Sequence, residues 1–234
     1  MEAYRVDFGR PIALFALSNV ALVPHIAQRF HIFEPRYRQM ITDAMAAGNG
    51  HLERSAPIAV ALAGGSNDDP AGLRPVVCVG RLTNVEPYDD GRFEIALQGV
   101  CRARIDEIDA AEGSRLYDRA WLRPLAPAEG AEPPMPEVRR TVRSLLSNPR
   151  LSRLCVGEFV RGLASHEELP VSAMLDLVGF VTFSDPERRY DLLSHPDCRD
   201  RAAIVTRELQ ELDSLVSLVD RQHPATWPKG VGYN

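Results

Sequence analysis

Lysine is nearly absent from this chain: Lys229 is the only one among 27 lysines and arginines, and it lies in a tail rich in proline and glycine. Arginine keeps its charge and pairs with carboxylates, but it cannot form a Schiff base and rarely acts as a general base. A phosphate-binding loop needs a lysine followed by serine or threonine, whereas Gly230 follows Lys229. The sequence therefore excludes a lysine-containing nucleotide-binding loop and argues against a Ser–Lys peptidase dyad.

Paired cysteines and long apolar runs are missing as well. Cys78, Cys101, Cys155 and Cys198 are far apart, and none belongs to a C-x-x-C pair. No apolar run approaches the length of about 18 residues that a membrane span needs, and the first ten residues lack the apolar core of a signal peptide. We therefore expect a cytoplasmic protein with reduced cysteines. The net charge of −5 and the pI near 5.7 argue against nucleic-acid binding.

Proline divides the chain into two parts of different composition. Residues 126–136 contain four prolines in eleven positions, which predicts a linker because proline interrupts helices and central strands. Residues 1–125 show β-type patterns, residues 137–221 show helical periodicity, and residues 222–234 are predicted to be a flexible tail. These patterns predict an α+β protein, with a barrel-like or folded β-sheet domain followed by an α-helical bundle.

The β-type part contains one early helix. Pro35 predicts its first turn, and Gly48 predicts a left-handed cap at its end. Asp89-Asp90-Gly91 predicts a tight hairpin, because glycine accepts the positive φ that such a turn requires. The predicted strands are Ile12–Leu17, Gln28–Phe33, Ile58–Ala63, Val76–Tyr88, Arg92–Val100, Arg102–Ile108 and Tyr117–Leu125.

The second part is predicted to end in a long helix. The helices before it are Glu137–Leu146, Leu151–Ala164, Ser172–Thr182 and a short one to Leu193. Ser184-Asp185-Pro186-Glu187 predicts a cap and a first-turn proline for this short helix. His195-Pro196-Asp197 precedes the last helix, which extends to about Asp220 and carries a stripe with spacings of four and three residues: Val205, Leu209, Leu212, Val216 and Val219. Such a stripe is typical of a helix that faces a bundle core, and a homodimer through this helix is the alternative.

Motifs for catalysis or metal binding are incomplete. His166-Glu167-Glu168-Leu169-Pro170 has proline where a zinc-protease helix needs its second histidine. Gly65-Ser66-Asn67 lacks the second glycine of a nucleophile elbow. His25, His31 and Glu34 are close enough in sequence to suggest a metal site, but a strand-to-helix junction between them favours a structural role. We predict no catalytic residue, no cofactor and no metal.

Several segments carry a family resemblance that covers roughly residues 10–220. These segments are Ile12–Pro24, Phe30–Met40, Cys78–Leu82, Asp90–Phe93, Leu97–Arg102 and Ser184–Glu187. The first two resemble the opening of the Lon protease amino-terminal, or substrate-binding, domain. The next three are similar to the second signature of that family, and the last resembles its helical bundle. The resemblance implies a PUA-like β domain followed by helices.

The resemblance also implies a function. In full-length Lon this module precedes an ATPase and a Ser–Lys peptidase, and it helps to hold unfolded or tagged substrates. Because the sequence shows neither the ATPase nor the peptidase motifs, we expect a stand-alone, non-catalytic module that binds unfolded or extended polypeptide. It would act as an adaptor or chaperone-like protein, with protease or chaperone components as further partners. The alternatives are a small-molecule or RNA-associated PUA-like module and an unrecognised Cys/His hydrolase.

The signature residues are the candidates for contact with polypeptide: Pro24, His25, Phe33, Glu34, Arg36 and Tyr37. Folding accounts for several of them, since Glu34 stands where a helix dipole favours an acid and Tyr37 offers a ring to the core. We therefore favour a scaffold role over a direct contact. His25 follows Pro24 where the family commonly has glycine, and this departure puts an identical local turn in doubt.

Overall fold

A mixed β-sheet with helices packed on it makes up the fold. The computed structural model describes residues 4–64, 72–125, 135–152 and 157–221, and within them there are six strands and seven α-helices. The strands are β1 Ile12–Leu17, β2 Ala27–Ile32, β3 Ile58–Leu62, β4 Val76–Pro87, β5 Phe93–Asp109 and β6 Arg119–Pro124. The helices are α1 Pro35–Ala47, α2 Pro136–Leu146, α3 Pro149–Ser152, α4 Gly157–Ser165, α5 Val171–Thr182, α6 Pro186–Ser194 and α7 Cys198–Arg221.

The sheet closes into a barrel and leaves one strand outside it. The strand order is β2-β5-β4-β3-β1-β6, and β5 also pairs with β6. Strands β1 and β3 are parallel, whereas the other pairs are antiparallel. The first part of β5 pairs with β2, and its second part pairs with β6. Strands β1, β3, β4, β5 and β6 therefore form the closed ring, and β2 lies at an edge.

The β4–β5 hairpin is confirmed, but β5 is longer than predicted. Gly91 adopts a φ of 80° in the turn that follows β4. The two predicted strands after this turn are one strand of 17 residues, Phe93–Asp109. Cys101, which was predicted to separate them, pairs with Val79, and the register between β4 and β5 shifts by one residue between Val79 and Gly80 without interrupting the strand. The prediction of a break at residue 101 was therefore wrong.

Two apolar clusters surround the sheet. Leu14, Ala61, Val77 and Ala103 belong to the cluster with members from five strands of the ring. The larger cluster joins the other face of the sheet to α1 and to the bundle helices. All five residues of β3 are buried, because its alternating side chains enter the two different clusters. A continuous apolar run in the sequence is thus explained by a strand that is covered on both faces.

Aspartate side chains cap the starts of two helices. The Asp185 carboxylate accepts a hydrogen bond from the Glu187 N–H at 3.1 Å, which fixes the start of α6. The Asp197 carboxylate accepts one from the Arg199 N–H at 2.7 Å at the start of α7. Since Pro149 is the first residue of α3, the predicted helix from Leu151 begins two residues earlier.

Gly48 does not form the left-handed cap that the sequence predicts. Its φ is −96°, and the residues with positive φ are the next two, Asn49 at 53° and Gly50 at 81°. Glycine is required at position 48 for a different reason. A Cβ there would lie 2.6 Å from the Arg54 carbonyl carbon and 2.7 Å from the His51 carbonyl oxygen. The tight packing of the following loop, and not backbone handedness, selects this glycine.

The predicted stripe on α7 is buried only at its beginning. Val205 and Leu209 are fully buried, whereas Leu212 and the valines beyond it are half-buried. Leu215 and Leu218 are more than half exposed. The first half of α7 therefore faces the bundle core, and dimerisation through this helix stays a prediction.

Some sequence predictions fall outside the described residues. These are most of the loop at 64–70, most of the linker at 126–136, residues 153–156 with Cys155, and the tail at 222–234 with Lys229. At the end of the predicted linker, Met135 is buried and Pro136 is the first residue of α2. The predicted domain boundaries stay a prediction.

Candidate functional site

The candidate site is centred on β2 at the edge of the sheet. Phe30 and Ile32 are buried, whereas Ala27, Arg29 and His31 are exposed. One face of the strand therefore packs on the core, and the other faces solvent. In the described part of the chain β5 is the only strand that pairs with β2. The outer edge of β2 thus presents main-chain groups with which an added strand can pair.

The turn before β2 is held by backbone hydrogen bonds. Pro24 is buried and His25 is exposed, with a φ of 69°. The His25 N–H donates to the Gly99 carbonyl at 2.9 Å, and the Gly99 N–H donates to the Ile26 carbonyl at 2.8 Å. A Cβ at Gly99 would lie 2.2 Å from the Val23 carbonyl oxygen, so only glycine allows this approach.

His25 holds its left-handed backbone at a modest energetic cost, because this region is readily adopted by glycine and less readily by residues with a Cβ.

The junction after β2 combines an exposed ring with a fixed helix start. The Phe33 side chain is 61% exposed. The Glu34 carboxylate accepts hydrogen bonds from Arg36 at 2.9 Å to Nε and 2.8 Å to Nη2. This pairing occupies the carboxylate, which forms no hydrogen bond to the first turn of α1. Arg36 in turn lies over the Tyr37 ring, with its Cζ at 4.4 Å from the ring centroid.

Tyr37 is a core residue. Its hydroxyl donates to the Ala16 carbonyl at 2.8 Å, and its ring meets the Phe15 ring edge-on at a centroid distance of 4.7 Å. Burial raises the pKa of the Tyr37 hydroxyl. These contacts tie α1 to β1, so Tyr37 positions the start of the helix and is not available to a ligand.

An aromatic cluster of His31, Phe33 and Tyr88 covers the end of β2. The His31 ring stacks on Phe33 at a centroid distance of 6.3 Å and meets Tyr88 edge-on at 5.8 Å. The Arg92 guanidinium lies 5.7 Å from the Tyr88 ring and 3.3 Å from His31 Nε2. The Tyr88 hydroxyl donates to Glu94 at 3.3 Å, and the nearby Glu94 charge raises the pKa of that hydroxyl.

The structure separates the six predicted site residues into two groups. Pro24 and His25 precede β2, whereas Phe33, Glu34, Arg36 and Tyr37 follow it, about 20 Å away along a six-residue strand. The sequence predictions did not include Tyr88 and Arg92 in this site. Tyr88 and Arg92 flank the predicted β4–β5 turn. Because β5 pairs with β2, this turn lies beside the end of β2.

Cys78 and Cys101 have thiols of raised pKa. Burial raises the pKa of the Cys78 thiol strongly and that of Cys101 to about 11. Both thiols are therefore neutral near pH 7 and are poor nucleophiles. Among residues that the structure describes, no group of three or more His, Cys, Asp or Glu side chains is arranged to hold a metal ion.

These observations define a PUA-like barrel with an exposed edge strand and a helical extension, as the sequence predicts. Residues 11–211 match the family described as the ATP-dependent protease La (LON) substrate-binding domain. The chain belongs to this family of substrate-binding domains. No curated protein matches the chain in sequence. In the described residues, no helix is long and apolar enough to cross a membrane.

A Lon N-terminal domain of known structure shares the fold of this chain. The N-terminal domain of the Mycobacterium avium complex Lon protease is 13% identical, with a TM-score of 0.62, and the match covers 86% of this chain and 98% of that one. A Lon N-terminal domain protein from Xanthomonas campestris is 16% identical, with a TM-score of 0.49, and the match covers 88% of this chain and 98% of that one.

Proposed function

We propose that this chain is a non-catalytic module that binds extended polypeptide by adding it as a strand to the outer edge of β2. The observation that carries the proposal is an edge strand that leads directly into an exposed aromatic cluster. An extended peptide gains affinity from main-chain hydrogen bonds and gains selectivity from pockets that take every second side chain. Membership of a substrate-binding domain family supports polypeptide as the ligand class.

The aromatic cluster supplies an anchor for the bound chain. Phe33 and Tyr88 are 61% and 44% exposed. Covering exposed rings of this size by a partner removes apolar surface from water and so stabilises the complex. Arg92 and Glu94 lie at the edge of the cluster and offer polar contacts to the peptide backbone or to side chains. The peptide would therefore pair with β2 and place an apolar side chain against Phe33.

In this role the protein acts as an adaptor or chaperone-like holder of unfolded clients. Interaction with protease or chaperone components, a cytoplasmic location and dimerisation through α7 stay predictions. So do the small-molecule, RNA-associated and hydrolase alternatives.

The test is a titration with a fluorescent, permanently unfolded polypeptide. We expect saturable binding, and Phe33→Ala should weaken it about tenfold, because an anchor ring at an interface contributes roughly 1–2 kcal/mol. Phe159→Ala is the matched control, since Phe159 is exposed to a similar extent, 58%, on α4. A short client peptide with alternate amides N-methylated should bind much more weakly than its parent. Equal binding by the two peptides would rule out strand addition.

A further inference from the structure

A cleft of about 1050 Å³ lies between the amino-terminal segment, α1 and the loop that leads into β3. The residues that line it include neither β2 nor the aromatic cluster. Its floor is apolar, with Ile12, Met40 and Ala44 buried beneath it. This volume is at the upper end of the range for ligand clefts, so it has room for a ligand larger than a single inorganic ion.

Arginine dominates the charged residues of the cleft walls. Five arginines and three acidic residues line it, an excess of positive charge in a chain whose net charge is −5. Arg10 pairs with Asp7 at 3.1 Å, and Arg119 pairs with Asp109 at 2.7 Å. These two arginines therefore already have a carboxylate partner, although Arg119 shares Asp109 with Arg115.

The other three arginines form no ion pair with a carboxylate that the structure describes. Arg81 donates to the neutral amide oxygen of Gln98, at 3.0 Å from Nε and 2.7 Å from Nη2. Arg5 and Arg54 are exposed and form no ion pair with any residue that the structure describes. The remaining acids of the walls are Glu53 and Asp43, and Asp43 accepts a hydrogen bond from the Tyr117 hydroxyl at 3.0 Å.

Tyr4 links the backbone segments that carry the three arginines. Its ring centroid lies 5.8 Å from the Arg81 guanidinium carbon, and its hydroxyl donates to the Ser55 carbonyl at 3.2 Å. Arg54 directly precedes Ser55, and Arg5 directly follows Tyr4. Tyr4 therefore contacts Arg81 and the residue next to Arg54, and it is itself next to Arg5.

We infer that this cleft binds an acidic peptide segment, at a site separate from β2. Guanidinium groups with free donors bind carboxylates through charge-assisted, often bidentate hydrogen bonds. The apolar floor would take aliphatic or aromatic side chains of the same segment. Both the size of the cleft and its floor favour a peptide over a free inorganic oxyanion. The inference depends on Arg5, Arg54 and Arg81, and it does not require strand addition at β2.

The test compares two fluorescein-labelled peptides of about ten residues with the same apolar side chains. One carries glutamates, and the other carries glutamines at the same positions. We expect the glutamate peptide to bind saturably and at least tenfold more tightly, with an affinity that falls between about 50 and about 300 mM salt. Combining Arg54→Gln with Arg81→Gln should weaken binding about tenfold or more.

Matched controls separate a specific site from general electrostatics. Arg123→Gln combined with Arg199→Gln removes the same charge from two exposed side chains outside both the cleft and β2, and we expect less than about a twofold change. Arg54→Gln alone disturbs no hydrogen bond in the described residues, so its loss of binding cannot be assigned to misfolding. Phe33→Ala should leave binding of the glutamate peptide unchanged, which keeps the two sites distinguishable.

Three outcomes would overturn the inference. The first is equal binding of the glutamine peptide. The second is an equal loss of affinity in the control pair, which would indicate unspecific charge attraction. The third is displacement of the labelled peptide by inorganic phosphate as effectively as by unlabelled glutamate peptide at the same concentration, which would indicate a simple oxyanion site.

Discussion

Asp176 connects three elements of the fold through a buried ion cluster. It lies on α5 with no exposed surface, and its Oδ1 accepts hydrogen bonds from Arg102 of β5 at 2.6 Å and from Arg201 of α7 at 2.7 Å. Its Oδ2 accepts a further one from Arg102 at 3.1 Å. Arg102 also donates to the carbonyls of Leu192 and Leu193 near the end of α6. One carboxylate therefore balances two buried guanidinium groups.

Replacing Asp176 by alanine should destabilise the protein by about 3–5 kcal/mol, because it leaves two buried positive charges without a counter-ion. Asp176→Asn keeps the shape and one acceptor oxygen, so we expect a smaller loss of about 2–3 kcal/mol. The free energy of unfolding is measured by urea denaturation followed by far-ultraviolet circular dichroism. Glu107→Ala is a suitable control, since Glu107 is exposed and forms no ion pair in the described residues.

Replacing all three charged side chains of the cluster tests whether their desolvation limits stability. Because desolvating three charged groups is expensive, an apolar replacement of all three side chains should recover most of the stability that Asp176→Ala loses. We expect the triple variant Arg102→Met, Asp176→Leu and Arg201→Met to be clearly more stable than Asp176→Ala alone. A cost below about 1 kcal/mol for Asp176→Ala would show that water reaches the cluster, and it would refute this account of the interior.

Three further changes test separate contacts. Tyr37→Phe removes the hydrogen bond to the Ala16 carbonyl and should cost about 1 kcal/mol in urea denaturation. Gly99→Ala should cost at least about 2 kcal/mol in the same assay, because the added Cβ would lie 2.2 Å from the Val23 carbonyl oxygen. Alkylation of Cys101 at pH 8, measured by peptide mass spectrometry, should be about a hundredfold slower than alkylation of an ordinary thiol, because burial raises the pKa of Cys101 from 9.0 to about 11. The alkylation rate should rise with pH up to that pKa.

Controls for these changes exist in the same chain. Tyr88→Phe removes an exposed hydroxyl and should change stability by less than about 0.5 kcal/mol. Gly162→Ala adds a Cβ in open space on α4 and should be neutral or stabilising by up to about 1 kcal/mol. If either control cost as much as its buried counterpart, the contacts named above would not be the cause. A Cys101 alkylation rate that does not vary between pH 8 and pH 10 would contradict the raised pKa.

The sequence predicted those features that depend on neighbouring residues. Pro35 begins α1, Gly91 forms the hairpin turn and Asp185 caps α6, because each acts through its own backbone angles or through an N–H two residues away. The family was also predictable, since its motifs are continuous segments of the chain. Helix starts and turns are local properties, and the sequence therefore specifies them directly.

Tertiary structure decided the features that join distant residues. The exclusion of β2 from the ring depends on β5 pairing first with β2 and then with β6, and no local pattern encodes that choice. The aromatic cluster forms because this pairing places His31 beside Tyr88. Arg102 and Asp176 are 74 residues apart in sequence. The scarcity of lysine in the sequence is enough to exclude a lysine-containing phosphate-binding loop. By contrast, only the fold decides which carboxylates lie near each arginine, and therefore which arginines lack a counter-ion.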